Sequence, residues 1–562
     1  MTPTTPLGNL SKDLFIIITE QLVVDIGIYK AVQLRLVNTA FDAAIHNALC
    51  NPKVFDINDR ALYHFQWSRG KIGRKAPVLV GKILLARSRK ADTGQDNDVS
   101  VIATVIQDLK SSKNLLTAWK DDDARDLTIA KTVARHYSRT VFRDWGRPHN
   151  PETVLDSESR RLNRLCGAIA VDELPLAKSL LQTDMMLINR ISLYFGLPLT
   201  VAASSGHIGF VRHLLECGAD PRASTHDLPL RPSYDPMVSF NDGRLTLSDH
   251  DYISRRNLYN HQPGTALGAA IIHGHRDIVK LLLSSEYRLS PKSNKEEFAL
   301  CLLAGAQTGR LELINLLLTT TGATISDFTD LGKFMLWEAA RSGHQGVAQM
   351  LLDDGVDINA AGHMTIDGGS KSALCIAASQ GNASMVQFLL DRGADVDIKG
   401  HSDAWENPLE CAATNGHEDV VMMLLDRGEP DGLRRAFRTA ADAVQVHLME
   451  MLLRSHPDII SMPTSGTDSR TLGDYALTPA ITHKNPRFLR LLVDKGVDLN
   501  GQKDGMDPIE LARKVRSKWI IDELVRLGVK YEDDEEVGEE DESVMKGGVR
   551  ITKRTWEWVG KY

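Results

Sequence analysis

A pattern of leucines, paired small residues and a glycine recurs along most of this 562-residue chain. Closely similar copies begin at Leu199, Leu267, Leu336, Leu374 and Leu409, and the first of them reads LTVAASSGHIGFVRHLLECGAD. Weaker copies, which bring the total to ten, begin at Leu165, Leu302, Phe437, Leu477 and Ile509. Because a unit this short cannot bury its apolar residues alone, the repetition predicts a row of units that stack on one another.

Each unit has the residue spacing of two short helices. Leu-x-x-Ala-Ala places small residues where a first helix must pack closely on its neighbours, and Val-x-x-Leu-Leu supplies the apolar stripe of an antiparallel second helix. Gly218 and Gly393 come just after the second helix, where glycine can adopt a left-handed backbone without a steric clash. The spacing therefore predicts an all-α fold of helix-turn-helix units.

These units resemble the ankyrin repeat, whose pattern is T-P-L-H-x-A-A, two variable residues, G-H, an apolar V-x-x-L-L and a closing G-A-D. The resemblance extends over residues 156–531 and implies an ankyrin-repeat solenoid of about ten units that holds a target protein. Most of the copies begin about 33 residues apart, as in that family. A polar segment near residues 222–262 lengthens one interval, and we expect it to be a surface loop.

Four histidines follow the glycine between the two helices, and they are His207, His275, His344 and His417. A ligand of a metal or a catalytic group would not be copied so regularly. In the ankyrin family this histidine makes structural hydrogen bonds to neighbouring backbone, so we expect the same here. His273 differs because it occupies a variable position before the glycine, which in the family points into the concave groove.

The variable positions predict the groove that would contact a partner, and most of them carry polar, uncharged side chains. Trp405 is added as an aromatic residue at the tip of a hairpin between repeats, where tryptophan can anchor an interface. The residues expected to bind a partner are His273, Thr308, Arg341, Gln380, Trp405 and Asn415. Arg341 is the one fixed charge in this set. Such a groove suits an extended peptide or a folded protein better than a polyanion.

Residues 1–50 do not repeat, and their apolar residues are spaced as in short amphipathic helices. This segment resembles an F-box, with Ser11 where that family usually has proline. The residues that carry the resemblance are Leu10, Asp13, Leu14, Ile17, Leu34, Arg35, Val37 and Phe41. An alternative from the residues alone is an N-terminal helical cap that shields the first repeat. Residues 51–155 are expected to be a helical connection or decayed repeats.

An F-box-like module implies a partner of a particular kind. It would dock onto the Skp-type linker subunit of a cullin-RING ubiquitin ligase through an apolar surface. The residues expected to make this contact are Leu10, Leu14, Ile17, Val37 and Phe41. The chain would then be a substrate receptor that brings the target to the ligase. Two alternatives stay open: a scaffold with no ligase role, and an enzyme that acts on a small molecule in the groove or N-terminal region.

Charge is concentrated in one part of the chain. Nine of the acidic residues lie between Glu532 and Glu542, and without them the formal charge changes from -7 to about +2. A nearly neutral body argues against a nucleic-acid partner. We expect residues 532–562 to be a disordered acidic tail and the basic run from Arg69 to Lys90 to be a solvated connection.

The sequence offers no catalytic motif and predicts no cofactor. Its six cysteines are scattered, with no CxxC pair and no cluster near histidines, so neither a zinc site nor a disulfide framework is expected. The apolar patch at Leu14 is interrupted by Glu20 and lacks a basic lead-in, which argues against a signal peptide and a membrane span. We therefore expect a protein of the cytoplasm or nucleus that is not an enzyme.

Overall fold

The computed structural model describes most of the repeat region and part of the N-terminal region. The continuous described ranges are 76–89, 97–112, 121–140, 157–225, 263–287, 295–328, 330–360, 370–396, 407–428, 431–464, 470–500 and 507–529. Shorter described pieces are 19–20, 44–45, 48, 239–241, 244–246, 289, 362–363, 543–546 and 549–552. The five F-box-like contact residues, from Leu10 to Phe41, lie outside these ranges, as does Trp405.

Three helices precede the repeats in the described part of the chain. They are α1 (Ala76–Ser88), α2 (Asn97–Ser111) and α3 (Asp122–Thr140). α1 packs on α2 and α3, and both of these contact the first helix of the repeats. Ile83 and Leu84 of α1 are fully buried, so the prediction of a solvated connection is wrong for this stretch. Lys82, directly before Ile83, is exposed, so basic residues and buried apolar residues alternate in this helix.

In the described ranges between residues 157 and 526, ten helix pairs follow one another, and we number them repeats 1 to 10. In chain order they are α4 (Ser157–Ala170) and α5 (Leu174–Thr183), α6 (Pro198–Ser205) and α7 (Ile208–Glu216), α8 (Ala266–His273) and α9 (Arg276–Leu282), α10 (Lys295–Thr308) and α11 (Leu311–Thr321), α12 (Leu331–Ser342) and α13 (Gln345–Asp353), α14 (Ala373–Ser379) and α15 (Ala383–Asp391), α16 (Pro408–Thr414) and α17 (Glu418–Leu425), α18 (Gly432–Asp442) and α19 (Val446–Ser455), α20 (Leu472–Thr482) and α21 (Pro486–Asp494), and α22 (Pro508–Lys514) and α23 (Lys518–Arg526). Each of the ten sequence anchors lies in the first helix of a pair. The prediction of an all-α ankyrin-repeat solenoid is confirmed.

The first helices pack one against the next, and several neighbouring second helices also pack together. Small residues make this close packing possible: Ala202 and Ala203 of α6 and Ala339 and Ala340 of α12 are fully buried. Trp337 of α12 stands where the ankyrin pattern has histidine and is 1% exposed. Its indole N–H donates to the carbonyl of Ala360 at 3.2 Å, so this ring fills space inside the solenoid.

Three short antiparallel hairpins accompany the helices among the residues that the structure describes. β1 (Ser239–Asn241) pairs with β2 (Arg244–Thr246), β3 (Gly362–His363) with β4 (Ser370–Lys371), and β5 (Ser543–Lys546) with β6 (Val549–Thr552). The first lies within the insertion between repeats 2 and 3. The third lies in the segment that we expect to be a disordered tail, and the acidic run before it is outside the described residues.

The insertion leaves and rejoins the solenoid at nearly one point. The backbone N–H of Thr225 donates to the carbonyl of Gly264 at 3.1 Å, and the Thr225 hydroxyl donates to the same oxygen at 3.3 Å. Both residues sit beside the start of α8, whose N-cap Thr265 accepts from the backbone of Gly268. The two ends are therefore fixed to each other before the next repeat begins.

Candidate functional site

The candidate site lies where the first helices end. Gly206 and Gly274 terminate α6 and α8 with a φ of 82° each, in the left-handed region, so the two residues before each glycine occupy the last helical turn. Successive first helices pack on each other, and these residues consequently form one row, which we call the groove row. In repeats 2 to 7 it comprises Ser204, Ser205, Ile272, His273, Gln307, Thr308, Arg341, Ser342, Ser379, Gln380, Thr414 and Asn415.

Several groove-row side chains are held by their own helix. The Thr308 hydroxyl donates to the carbonyl of Ala304 at 2.7 Å, and the Asn415 side-chain amide donates to the carbonyl of Cys411 at 2.8 Å. The Ser204 hydroxyl donates in the same way to Val201 at 3.0 Å. Hydroxyl and amide oxygens keep lone pairs that can accept hydrogen bonds, so this part of the row offers acceptors in fixed positions.

Arg341 does not present an uncompensated charge. Its guanidinium forms a close ion pair with Glu338 one turn earlier in α12, and both side chains are only 14% exposed. The sequence identified Arg341 as the fixed charge of the groove but did not reveal this partner. The groove row in repeat 5 is therefore locally neutral, which lessens its attraction for a polyanion.

His273 and Gln380 are both half-buried at the end of a first helix. The ring of His273 lies 6.3 Å from that of His275, centre to centre. The Gln380 side-chain amide donates to the Ser379 hydroxyl at 3.4 Å. Thus five of the six predicted groove residues share one row, and the sixth, Trp405, is outside the described ranges.

The four repeated histidines connect neighbouring repeats. Nε2 of His275 lies 3.2 Å from the carbonyl oxygen of Ser204, and Nε2 of His344 lies 3.2 Å from that of Gln307. His207 and His417 make the same contact to the preceding repeat at 3.4 Å and 3.0 Å. Because a carbonyl oxygen only accepts, Nε2 carries the hydrogen in each bond. The structural role expected for these histidines is confirmed.

The rings of His275, His344 and His417 also cover the glycine of the preceding repeat. A Cβ at Gly206 would lie 2.6 Å from Cε1 of His275. At Gly274 the covering group is the guanidinium of Arg310, whose central carbon would be 2.7 Å away. Glycine is required here both for its left-handed φ and for the close approach of the next repeat. The sequence shows Gly and His as neighbours within one repeat, but the contact joins two repeats.

A group of polar side chains in repeats 8 and 9 was missed by the sequence reasoning. The Tyr475 hydroxyl shares its hydrogen between both carboxylate oxygens of Asp442, each at 2.8 Å. The guanidinium of Arg438 lies 5.1 Å from the centre of the Tyr475 ring. Burial raises the pKa of Asp442, and the Tyr475 hydrogen bond opposes that shift. Asp442 lies five residues after the anchor Phe437, just as Thr414 lies five residues after the anchor Leu409. This equal spacing was the signal that could have placed Asp442 in the groove row.

A cleft of about 230 Å³ lies among α1, α2 and α3. Its charged side chains pair with one another: one carboxylate oxygen of Asp126 lies 3.3 Å from Nζ of Lys110 and 3.6 Å from Nη2 of Arg89. The other oxygen lies 3.0 Å from the buried guanidinium of Arg125. These contacts account for the charged groups of the cleft as internal ion pairs.

The described residues contain no group of three or more His, Cys, Asp or Glu side chains placed to hold a metal ion. Burial raises the pKa of the Cys166 and Cys301 thiols, which keeps both protonated and unreactive at neutral pH. Within the described ranges, no helix has the length and apolar character needed to span a bilayer.

Comparison with known proteins identifies the class. A profile described as "Ankyrin repeats (3 copies)" matches residues 267–362 and 361–432, and one described as "Ankyrin repeat" matches residues 197–226. The chain therefore contains ankyrin repeats, which are a class of interaction module. No catalytic family is among these matches. Among solved structures, the ankyrin repeat domain of human ASB11 is 23% identical, with alignment over 41% of this chain and 99% of that one and a TM-score of 0.31. No curated protein matches the sequence.

Proposed function

We propose that this chain is a protein-binding adaptor, and specifically a substrate receptor for a cullin-RING ubiquitin ligase. In this proposal the groove row binds the target protein, and the F-box-like module at residues 1–50 binds the Skp-type linker subunit. The chain carries out no bond chemistry. Its role is proximity, because holding a target beside the ligase turns a bimolecular encounter into a local one.

One observation carries the protein-binding part. A row of mostly polar, variable side chains runs along consecutive repeats whose backbone is fixed by bonds between repeats, such as His344 to Gln307. A rigid row of this kind loses little conformational entropy on binding. In repeats 8 and 9, Tyr475 binds Asp442 at the row position and Arg438 lies against the Tyr475 ring, which places beside the row the residue types that most often dominate binding energy.

The ligase part is supported by the sequence of residues 1–50. Leu10, Leu14 and Ile17 lie at the spacing of the first F-box helix, and Val37 and Phe41 at that of the last. An N-terminal F-box followed by a repeat array is the usual order in substrate receptors. A scaffold without a ligase partner would share the repeats but not this module.

Two sets of variants of the full chain separate the two activities. We expect Leu10→Ala with Leu14→Ala and Val37→Ala to abolish binding of purified Skp-type linker subunit but to leave target binding intact. Gln380→Ala with Asn415→Ala and Arg438→Ala should do the reverse. Helical circular dichroism and the melting temperature of each variant check that it is folded.

Binding of the linker subunit is measured by titration calorimetry, and the target is measured by quantitative capture from extract with each variant in parallel. If the intact chain does not bind the linker but still captures a groove-dependent partner, the receptor proposal is wrong and the alternative of a scaffold with no ligase role is supported. If groove variants capture the same proteins as the intact chain, the groove is not the target site.

A further inference from the structure

The last repeat presents a concentrated positive surface at the turn between α22 and α23. Lys514, Arg516 and Lys518 lie within five residues of one another and are exposed. Lys514 pairs with Glu510 at 2.9 Å, and its side chain remains 55% exposed in that pair. No acidic residue occupies the first turn of α23, so nothing in that helix offsets the positive end of its dipole. Among the ten turns between paired helices, this one has the largest excess of basic residues.

The amino end of α23 also lacks a side-chain cap. Ser517 is its N-cap residue, and its hydroxyl makes no capping hydrogen bond to the helix backbone. The side chain is 3% exposed, and its oxygen has no hydrogen-bond partner in the described chain. Lys518 occupies the first helical position, where a positive charge opposes the dipole. An anionic group at this end of α23 would compensate both the helix dipole and the absent cap.

The outer face of α23 is partly apolar. Trp519 is 44% exposed and Val525 is 42% exposed, and no helical repeat packs over them in the described chain. Terminal repeats of a solenoid usually carry a polar outer face, because no further unit covers them. A large exposed tryptophan beside three basic residues is therefore a surface that an acidic segment with apolar residues would fit.

We propose that this surface binds the acidic segment Glu532–Glu542 of the same chain, which then covers the open end of the solenoid. This segment has nine acidic residues, no basic ones and Val537 near its middle. It begins only three residues after Val529, the last described residue of repeat 10. No other stretch of the sequence has the same density of negative charge.

The length of the chain permits this contact. α23 has nine residues, so its two ends are about 12 Å apart at 1.5 Å per residue. The thirteen residues from 530 to 542 can extend over about 45 Å. The acidic segment is therefore long enough to reach the basic turn from Val529. A second chain could offer the same segment, so the test separates the two arrangements.

The first measurement is zero-length carbodiimide cross-linking of the full chain, followed by peptide mass spectrometry. We expect amide cross-links between Lys514 or Lys518 and carboxylates of residues 532–542. Their yield should not depend on protein concentration and should fall several-fold in 1 M salt, where the Debye length is about 3 Å. A yield that rises with concentration would show contact between chains and overturn the proposal, as would cross-links to other carboxylates only.

The second measurement leaves the last repeat unchanged. In the full chain, the nine acidic residues between Glu532 and Glu542 are replaced by the corresponding amides. We expect the backbone amides of α23 to exchange hydrogen several-fold faster than in the parent chain. Asp353→Asn with Asp354→Asn, at the end of α13, is the matched control and should leave exchange in α23 unchanged. Equal exchange in the parent and the amide variant would disprove the contact.

Discussion

Gly206 and His275 belong to different repeats, yet each restricts which residue type can occupy the position of the other. The glycine takes a φ of 82° and leaves space for the ring, and the ring donates to the carbonyl of Ser204 beside that glycine. The stacking of repeats therefore depends on residue pairs that are far apart in sequence. Single substitutions can separate the backbone part of this effect from the contact part.

We expect Gly206→Ala to destabilise the fold more than Gly218→Ala. Both glycines have a left-handed φ, of 82° and 93°, and an alanine in that region costs about 1–2 kcal/mol. A Cβ at Gly218 would meet no atom within 4 Å, whereas one at Gly206 would collide with His275. Urea unfolding of both variants gives the difference, and equal losses would mean that the contact with His275 contributes nothing.

The hydrogen bond of His275 can be tested with the residue type that repeat 8 carries at this point. There Gln445 occupies the equivalent position, and its side-chain amide donates to the carbonyl of Thr414 at 2.8 Å. We expect His275→Gln to keep most of the stability and His275→Ala to lower the free energy of unfolding by about 1 kcal/mol. The same urea series checks this, and equal effects of the two changes would argue against the hydrogen bond.

The pH dependence of His275 has a definite sign. Burial lowers the pKa of its imidazole in the folded chain, and the hydrogen bond to Ser204 opposes this shift. Folding therefore favours the neutral ring. Its contribution is complete above the unfolded pKa of about 6.5 and declines as the pH falls below it. Subtracting the stability curve of His275→Gln from that of the parent chain should show this loss, and a difference independent of pH would contradict it.

At the scale of the helix pair, the last three repeats depart from the glycine rule. Val444, Lys484 and Arg516 take the place of that glycine with φ values of 53°, 51° and 49°. A β-branched residue in this region is strained, by an amount on the order of 1–3 kcal/mol. Repeats 8 to 10 therefore hold the same turn geometry with less suitable residues.

Val444 gives a direct test of this strain. We expect Val444→Gly to be more stable than Val444→Ala by about 1 kcal/mol, because both lose the valine side chain and only glycine removes the Cβ. This is the reverse of the usual order of glycine and alanine near a helix. Thermal unfolding of the two variants measures the difference, and a more stable alanine variant would refute the strain.

The sequence predicted the helix pairs well because the apolar spacing is local. Leu-x-x-Ala-Ala at Leu336 fixes both a helix and the face that it buries. It did not reveal that α1 is buried, because basic residues surround the short apolar segment at Ile83 and Leu84. Nor did it reveal the Arg341 ion pair with Glu338, since spacing shows that two side chains can meet but not that they do. The target of the groove depends on side-chain combinations for which spacing gives no rule.

At the scale of the whole molecule, stability should fall toward the carboxyl end. In a solenoid each repeat is stabilised by its own helices and by its immediate neighbours. We expect backbone amides in repeats 8 to 10 to exchange hydrogen faster than those in repeats 3 to 7, because the later turns are strained. In repeat 9, Asn485 occupies the position of His275 and accepts a hydrogen bond from the backbone of Phe488 in its own helix. His275 instead donates to the preceding repeat. Uniform exchange along the array would contradict this gradient.

The hydrogen-bonded closure of Thr225 on Gly264 makes the intervening segment a replaceable cassette. Since its two ends already meet at 3.1 Å, a longer or shorter segment changes only the entropy of closing a loop, by about 0.6 kcal/mol for each doubling in length. Evolution can therefore lengthen, shorten or exchange this part of the gene while the stacking of the helices on either side stays unchanged.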